Sequence, residues 1–272
     1  MCRKLVLAAT VLSLIAAPAW AAERKAKSKS DAAATTAAPG KAGAEQRAAA
    51  DRLDPLARAT FWAGELQIDP ADETAGLKLA QALRQLGQHQ KAIETAERVT
   101  ITNPNSAEAW LEVARGHIGQ GQGFFAIDPA RRAQALRPKD WRAASLLGVA
   151  LEQTGRYPEA EAAYAQALQL SPNNPSVLSN LAMFRAGQGK GDEAESLLRR
   201  AVAQPGATIE VRQNLSLVLG LRGKLAEAEA LMRQDLPPEV ANNNLAYLRA
   251  VAAGEKPADR SWKTLQQSQD GG

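Results

Sequence analysis

The chain has 272 residues, is 45% hydrophobic but only 4% aromatic, and carries 33 basic against 29 acidic side chains. The excess charge is local: residues 22–50 hold a surplus of three positive charges, and without Arg3 and Lys4 the remaining body is close to neutral. A nearly neutral body lacks the basic stripe that nucleic-acid binding requires. The single cysteine, Cys2, stands ahead of an apolar run, which excludes disulfides, thiolate metal ligands and a cysteine nucleophile from the rest of the chain.

In chain order, Arg3 and Lys4, the apolar run Leu5 to Ala17, and Ala19-Trp20-Ala21 predict a secretory signal peptide over 1–21, cleaved after Ala21. Cys2 is not at the cleavage point, so no acylated lipoprotein cysteine is expected. Residues 22–50 are nearly all small or polar and predict a disordered Ala/Lys/Ser-rich spacer. Its basic cluster, Arg24 to Lys29, suits either a solvated tail or weak envelope contact. Leu56, Ala59, Phe61, Trp62 and Leu66 take helical spacing before Asp69-Pro70 and predict a lone N-terminal capping helix within 51–72.

From residue 73 to 236 the chain repeats itself. Gly87, Gly121, Gly155, Gly189 and Gly223 are spaced by 34 residues, as are Ala92, Ala126, Ala160, Ala194 and Ala228. Pro70, Pro104, Pro138 and Pro172 keep the same period, and Pro205 comes one residue early. Each unit should be a helix, a glycine turn, a second helix and a proline-marked turn, because a left-handed residue at a helix end suits glycine. In the second unit Asp128-Pro129 predicts a late helix start near Pro129, with 119–127 a loop carrying Phe124 and Phe125. Those rings are expected either to fold back into the core or to form a second contact site. Val240 to Val251 predicts a C-terminal capping helix within 237–253, followed by a flexible polar tail over 254–272 that contains Trp262.

No catalytic, cofactor or metal constellation stands out. Gly121, Gly123 and Ala126 match the letters of a dinucleotide fingerprint, but no strand precedes them. His89 reads as a solvated turn residue and His117 as partly packed, at no metal-ligand spacing. The chain is therefore read as non-enzymatic, with no cofactor and no small-molecule substrate.

A solenoid offers a concave groove lined by the first helix of each unit. Two rows spaced by 34 are predicted to face it: Leu77, Leu111, Ser145, Ser179 and Gln213, and Gln81, Arg115, Val149, Met183 and Leu217. Asn180, Asn214 and Asn244 recur at a similar helical site, the last four residues early. Such a row can hold a peptide backbone, since an amide both donates and accepts, and it equally suits mere repeat consensus. The candidate protein-binding residues are thus Asn180, Asn214, Asn244, Val149, Met183 and Leu217.

A period of 34 with this glycine, alanine and proline pattern resembles the tetratricopeptide repeat (TPR). The fold class expected is all-α, a right-handed TPR solenoid of about five helix-turn-helix repeats with single capping helices at both ends. Beyond the repeat, Arg212-Gln213-Asn214-Leu215, Gly220-Leu221-Arg222-Gly223, Ala226-Glu227-Ala228-Glu229 and Asp235-Leu236-Pro237-Pro238-Glu239 resemble the TadD proteins of Flp (Tad) pilus assembly. Phe61-Trp62-Ala63 and Arg137-Pro138-Lys139-Asp140-Trp141 share that resemblance. It implies an exported scaffold, periplasmic or periplasm-facing, whose partners belong to a pilus secretion machinery and include the outer-membrane secretin. A periplasmic TPR adaptor or pilotin for another envelope machine, such as a type IV pilus, would share every repeat feature.

Overall fold

The computed structural model describes residues 40–254. The predicted signal peptide with Cys2, the cluster Arg24 to Lys29 and the predicted polar tail with Trp262 lie outside the described residues. Those described form thirteen helices and no strand.

Five helix pairs follow the predicted units. They are α3 (Glu73–Gln85) with α4 (His89–Thr102), α5 (Ala107–Gly119) with α6 (Gly123–Leu136), α7 (Trp141–Gln153) with α8 (Tyr157–Leu170), α9 (Pro175–Gly187) with α10 (Gly191–Val202), and α11 (Ile209–Leu221) with α12 (Leu225–Asp235). Each pair turns at its serial glycine, whose φ lies between +69° and +76°. At each turn the residue after that glycine donates its N–H five residues back, as Arg156 does to the Leu151 carbonyl at 2.9 Å, which satisfies a helix-end carbonyl. Four of the first helices start just past a capping side chain. Asp72, Ser106, Asp140 and Asn174 each stand two positions beyond a period proline and accept from backbone N–H groups of the helix they open.

The serial alanines are the tight points of the stack, Ala126, Ala160, Ala194 and Ala228 being fully buried. Packing this close leaves little tolerance: a Cβ on Gly148 would fall 2.8 Å from the Tyr164 ring.

The N-terminal region differs from expectation. The helix predicted as a lone cap is α2 (Pro55–Ile68), whose first and last residues each stand 34 positions before those of α4. It therefore occupies the place of the second helix of a further unit. The first helix of that unit is the short α1 (Ala44–Ala50), inside the stretch expected to be disordered. Charge and burial hold it there: Arg47 pairs with Glu65 at 2.6 Å and with Asp72, Lys41 reaches Asp72 at 2.5 Å, and Ala50 packs with Trp62 and Ala75. At the other end α13 (Pro238–Ala252) buries Ala241, Leu245 and Leu248 against the fifth unit, where a following first helix would sit.

The second unit corrects another expectation. α6 starts at Gly123, not near Pro129, and Pro129 lies inside it. A helix-interior proline costs about 3 kcal/mol. Burial of Ala126, Ile127, Ala130 and Ala133 along the same helix offsets that cost.

Candidate functional site

Three of the six predicted groove residues converge on one cleft. Val149 on α7 and Asn180 and Met183 on α9 line a cavity of about 780 Å³ together with Glu152, Tyr157, Tyr164 and Phe184. Tyr164 and Phe184 are buried and form its floor, their ring centroids 5.1 Å apart, while Tyr157 is half exposed at its rim. The Tyr164 hydroxyl donates to Glu152 Oε2 at 2.7 Å. Burial, and then the Glu152 carboxylate, push the Tyr164 phenol well above its ordinary range, so it stays a donor that fixes Glu152 at the cleft.

The asparagines play a different part from the one predicted. Asn180 Nδ2 donates to Ser145 Oγ at 2.9 Å and Asn214 Nδ2 donates to Ser179 Oγ at 3.0 Å. Ser145 and Ser179 are buried, so this row of the groove is in fact a seam between successive first helices. Leu111, in the same predicted row, is wholly buried. Asn180 and Asn214 thus each use one amide N–H to stack repeats, which leaves the carbonyl oxygen and the second N–H for a ligand.

Leu217 and Asn244 do not face a groove. Leu217 packs in one cluster with Leu245 and Leu248, because α13 covers the fifth unit at the point where the groove would continue. Asn244 is 2% exposed on α13, and its buried Oδ1 has no hydrogen-bond partner among the described residues. Toward the N-terminus the groove position is Arg115, which pairs with Glu112 and, at 3.6 Å, with Glu108. Arg84 also holds Glu112 at 3.0 Å, and Arg142 holds Glu108 at 2.9 Å. The open part of the concave face is therefore the α7–α9 cleft.

Phe124 and Phe125 are on the first turn of α6 rather than on a loop, and they do not return to the core. They are 72% and 60% exposed and stack edge to face at 5.5 Å. The Phe125 ring lies 5.7 Å from that of His117, whose Nδ1 is 3.0 Å from Gln122 Oε1. His89 is half-buried against Gly119 rather than solvated, and burial lowers its basicity. The aromatic floor of the cleft was legible only in part: Tyr164 stands at the aromatic position of the repeat, but Phe184 carries no periodic signal.

Family models described as tetratricopeptide repeat match residues 73–116, 126–175, 151–218 and 211–234. Small glutamine-rich tetratricopeptide repeat-containing protein 2 of Mycosarcoma maydis is 37% identical over 91 residues, which are 34% of this chain and 26% of that protein. The chain thus spans about a quarter of that relative's length. Among solved structures, TTC0263, a thermophilic TPR protein of Thermus thermophilus, aligns with a TM-score of 0.56 at 22% identity, over 64% of this chain and 94% of its own. The pilF protein of Pseudomonas aeruginosa aligns at 0.51 and 21%, over 68% and 89%. At these identities the likeness to the solved structures is one of fold.

Proposed function

The chain is a tetratricopeptide-repeat protein, and on that premise we propose that it is a non-catalytic scaffold that binds protein segments in the α7–α9 cleft. The observation that carries this reading is the convergence of Val149, Asn180, Met183 and Tyr157 on an open cavity in the concave face, while the flanking groove positions are closed by Arg115 and by α13. An apolar cavity with a few fixed polar groups is the usual form of a binding site.

We further propose that it is exported, works in the periplasm-facing envelope, and assists the Flp (Tad) pilus secretion apparatus, with the outer-membrane secretin as partner. This rests on the TadD-like runs from Arg212 to Glu239 and on the leader-like start of the sequence.

A photo-cross-linking residue placed at Met183 tests the reading in the native host. The expected adduct is a component of the pilus secretion machinery. An adduct with a component of another envelope machine would move the protein to that assembly, and an adduct formed only from a position outside the cleft would remove the site.

A further inference from the structure

Each first helix has one position that the second helix of its own unit covers. It stands twelve residues before the serial alanine, at Ala80, Ala114, Gly148, Ala182 and Ser216, and all five are buried. Ala80 packs with Ala96, Ala182 packs with Ala194, and a Cβ on Gly148 would meet the Tyr164 ring. On α13 the run Asn244-Leu245-Ala246 stands 30 residues after Asn214-Leu215-Ser216, and Leu245 is buried as Leu215 is. The next residue breaks the match. Ala246 takes the place of the buried Ser216 and is exposed, so α13 has the face of a first helix with no second helix over it among the described residues.

The chain also leaves α13 as it leaves a first helix. Gly254 has φ +74°, and its N–H donates to the Val251 carbonyl at 3.0 Å, as that of Gly223 does to the Gly220 carbonyl. It comes one residue late in the register set by Ala246, a shift taken up in the turn. Beyond it Ala258, Trp262 and Leu265 resume that register, 30 residues after Ala228, Met232 and Asp235. Their spacing is that of Ala160, Tyr164 and Ala167, the buried stripe of α8. The 18 residues that follow Gly254 suffice for a helix of the 11 to 14 residues that second helices have here.

We propose that residues 257–269 form the second helix of a sixth unit and lie across Ala246. Ala258 takes the place of a serial alanine, which permits the close approach, and the Trp262 ring takes the place that Tyr164 has in the third unit. The occupant of the open face is this chain's own segment, and the ring is the largest apolar area that the segment offers. Its burial holds α13, which in turn covers Leu217 and ends the groove.

The test is hydrogen exchange along α13, read by mass spectrometry on the purified full chain. Trp262→Ser removes the ring from the segment, and Ala246→Arg blocks the face from the other side. Each should speed exchange in α13 about tenfold while α7 and α8 exchange as before. The double variant should add little to either change, because both break one contact. Trp262→Phe should keep most of the protection. Should Ala246→Arg fail to fold, the pair Trp262→Ser and Trp262→Phe decides the matter. Unchanged exchange in Trp262→Ser overturns the proposal, as does an effect of Trp262→Ser that Ala246→Arg does not reproduce. Protection of α13 that grows with protein concentration would assign the face to a second copy, and a change confined to α7–α9 would place the segment in the cleft; either result overturns it as well.

Discussion

Asn180 reaches back 35 residues to donate to the Ser145 hydroxyl at 2.9 Å, and Asn214 makes the same contact with Ser179 at 3.0 Å. The two bonds fasten the first helices of the third, fourth and fifth units to one another along the floor of the groove. A ligand and the stack therefore share the same side chains, so changes there act on stability as well as on binding.

Asn180→Ala should accordingly destabilise the protein, by about 1–3 kcal/mol, because it leaves the buried Ser145 hydroxyl without its donor. Adding Ser145→Ala removes the orphaned group and should recover most of the loss. A double-mutant cycle from denaturant melts measures the coupling, and an interaction energy near zero would show that the bond contributes nothing.

Gly155 adopts φ +75°, and among the described residues no heavy atom stands within 4 Å of where its Cβ would lie, so backbone strain is what opposes a side chain there. Gly155→Val should cost at least about 1–2 kcal/mol. For an ordered region of this size that corresponds to a fall in melting temperature of about 2–4 °C per kcal/mol. An unchanged melting temperature would contradict the left-handed turn.

The clamp on α1 predicts a pH dependence. Burial alone would raise the Asp72 carboxyl, but hydrogen bonds from Arg47 and Lys41 outweigh it and hold the group well below the usual carboxylate range. Glu65 is lowered as well, first by the Ala42 N–H and then by Arg47. Groups with depressed folded values stabilise the protein at neutral pH, and the stabilisation is lost as the pH falls below about 4 toward the folded values. Asp72→Asn keeps an oxygen for the Ala75 N–H and removes only the charge. Its melting temperature should lie below that of the native protein at pH 7 and converge with it as the pH drops from about 5 toward 2. A constant offset across that range would assign the effect to packing.

Phe124 and Phe125 can be replaced together by Ser with little effect on folding, since both rings are mostly exposed and surface changes usually stay within about 0.5 kcal/mol. Cross-linking through Met183 should also persist. Loss of partner capture in that double variant, with the cleft intact, would make the aromatic pair the primary contact.

Much of the fold was legible because the close-packed and left-handed positions permit so few residues. The serial glycines and alanines mark such positions, and all five turns and pairs fall where they predict. The N-terminal unit escaped because Leu53 and Arg58 stand where its glycine and alanine would be. The helix register, α2 starting 34 residues before α4, keeps the period, as does Pro70 at the unit's close. The caps two residues after Pro70, Pro104, Pro138 and Pro172 were a signal available in the sequence. Pro129 misled because a local helix penalty was set against buried alanines whose neighbours are distant in sequence. The candidate site was half legible: stepping by 34 found Val149 and Met183, but it could not say that the row beside them is sealed by helix contact. Nor could it say that α13 would cover Leu217.

Asp72 has two duties at once: it opens α3 by accepting from the Ala75 N–H at 3.0 Å, and it grips Arg47 and Lys41. Tension applied through the polypeptide ahead of Lys41 is thus borne by side-chain contacts at the mouth of α3 and not by the stacked alanines. These contacts and the packing of Ala50 on Trp62 stand between such a load and the repeats behind them, in the place of a mechanical fuse.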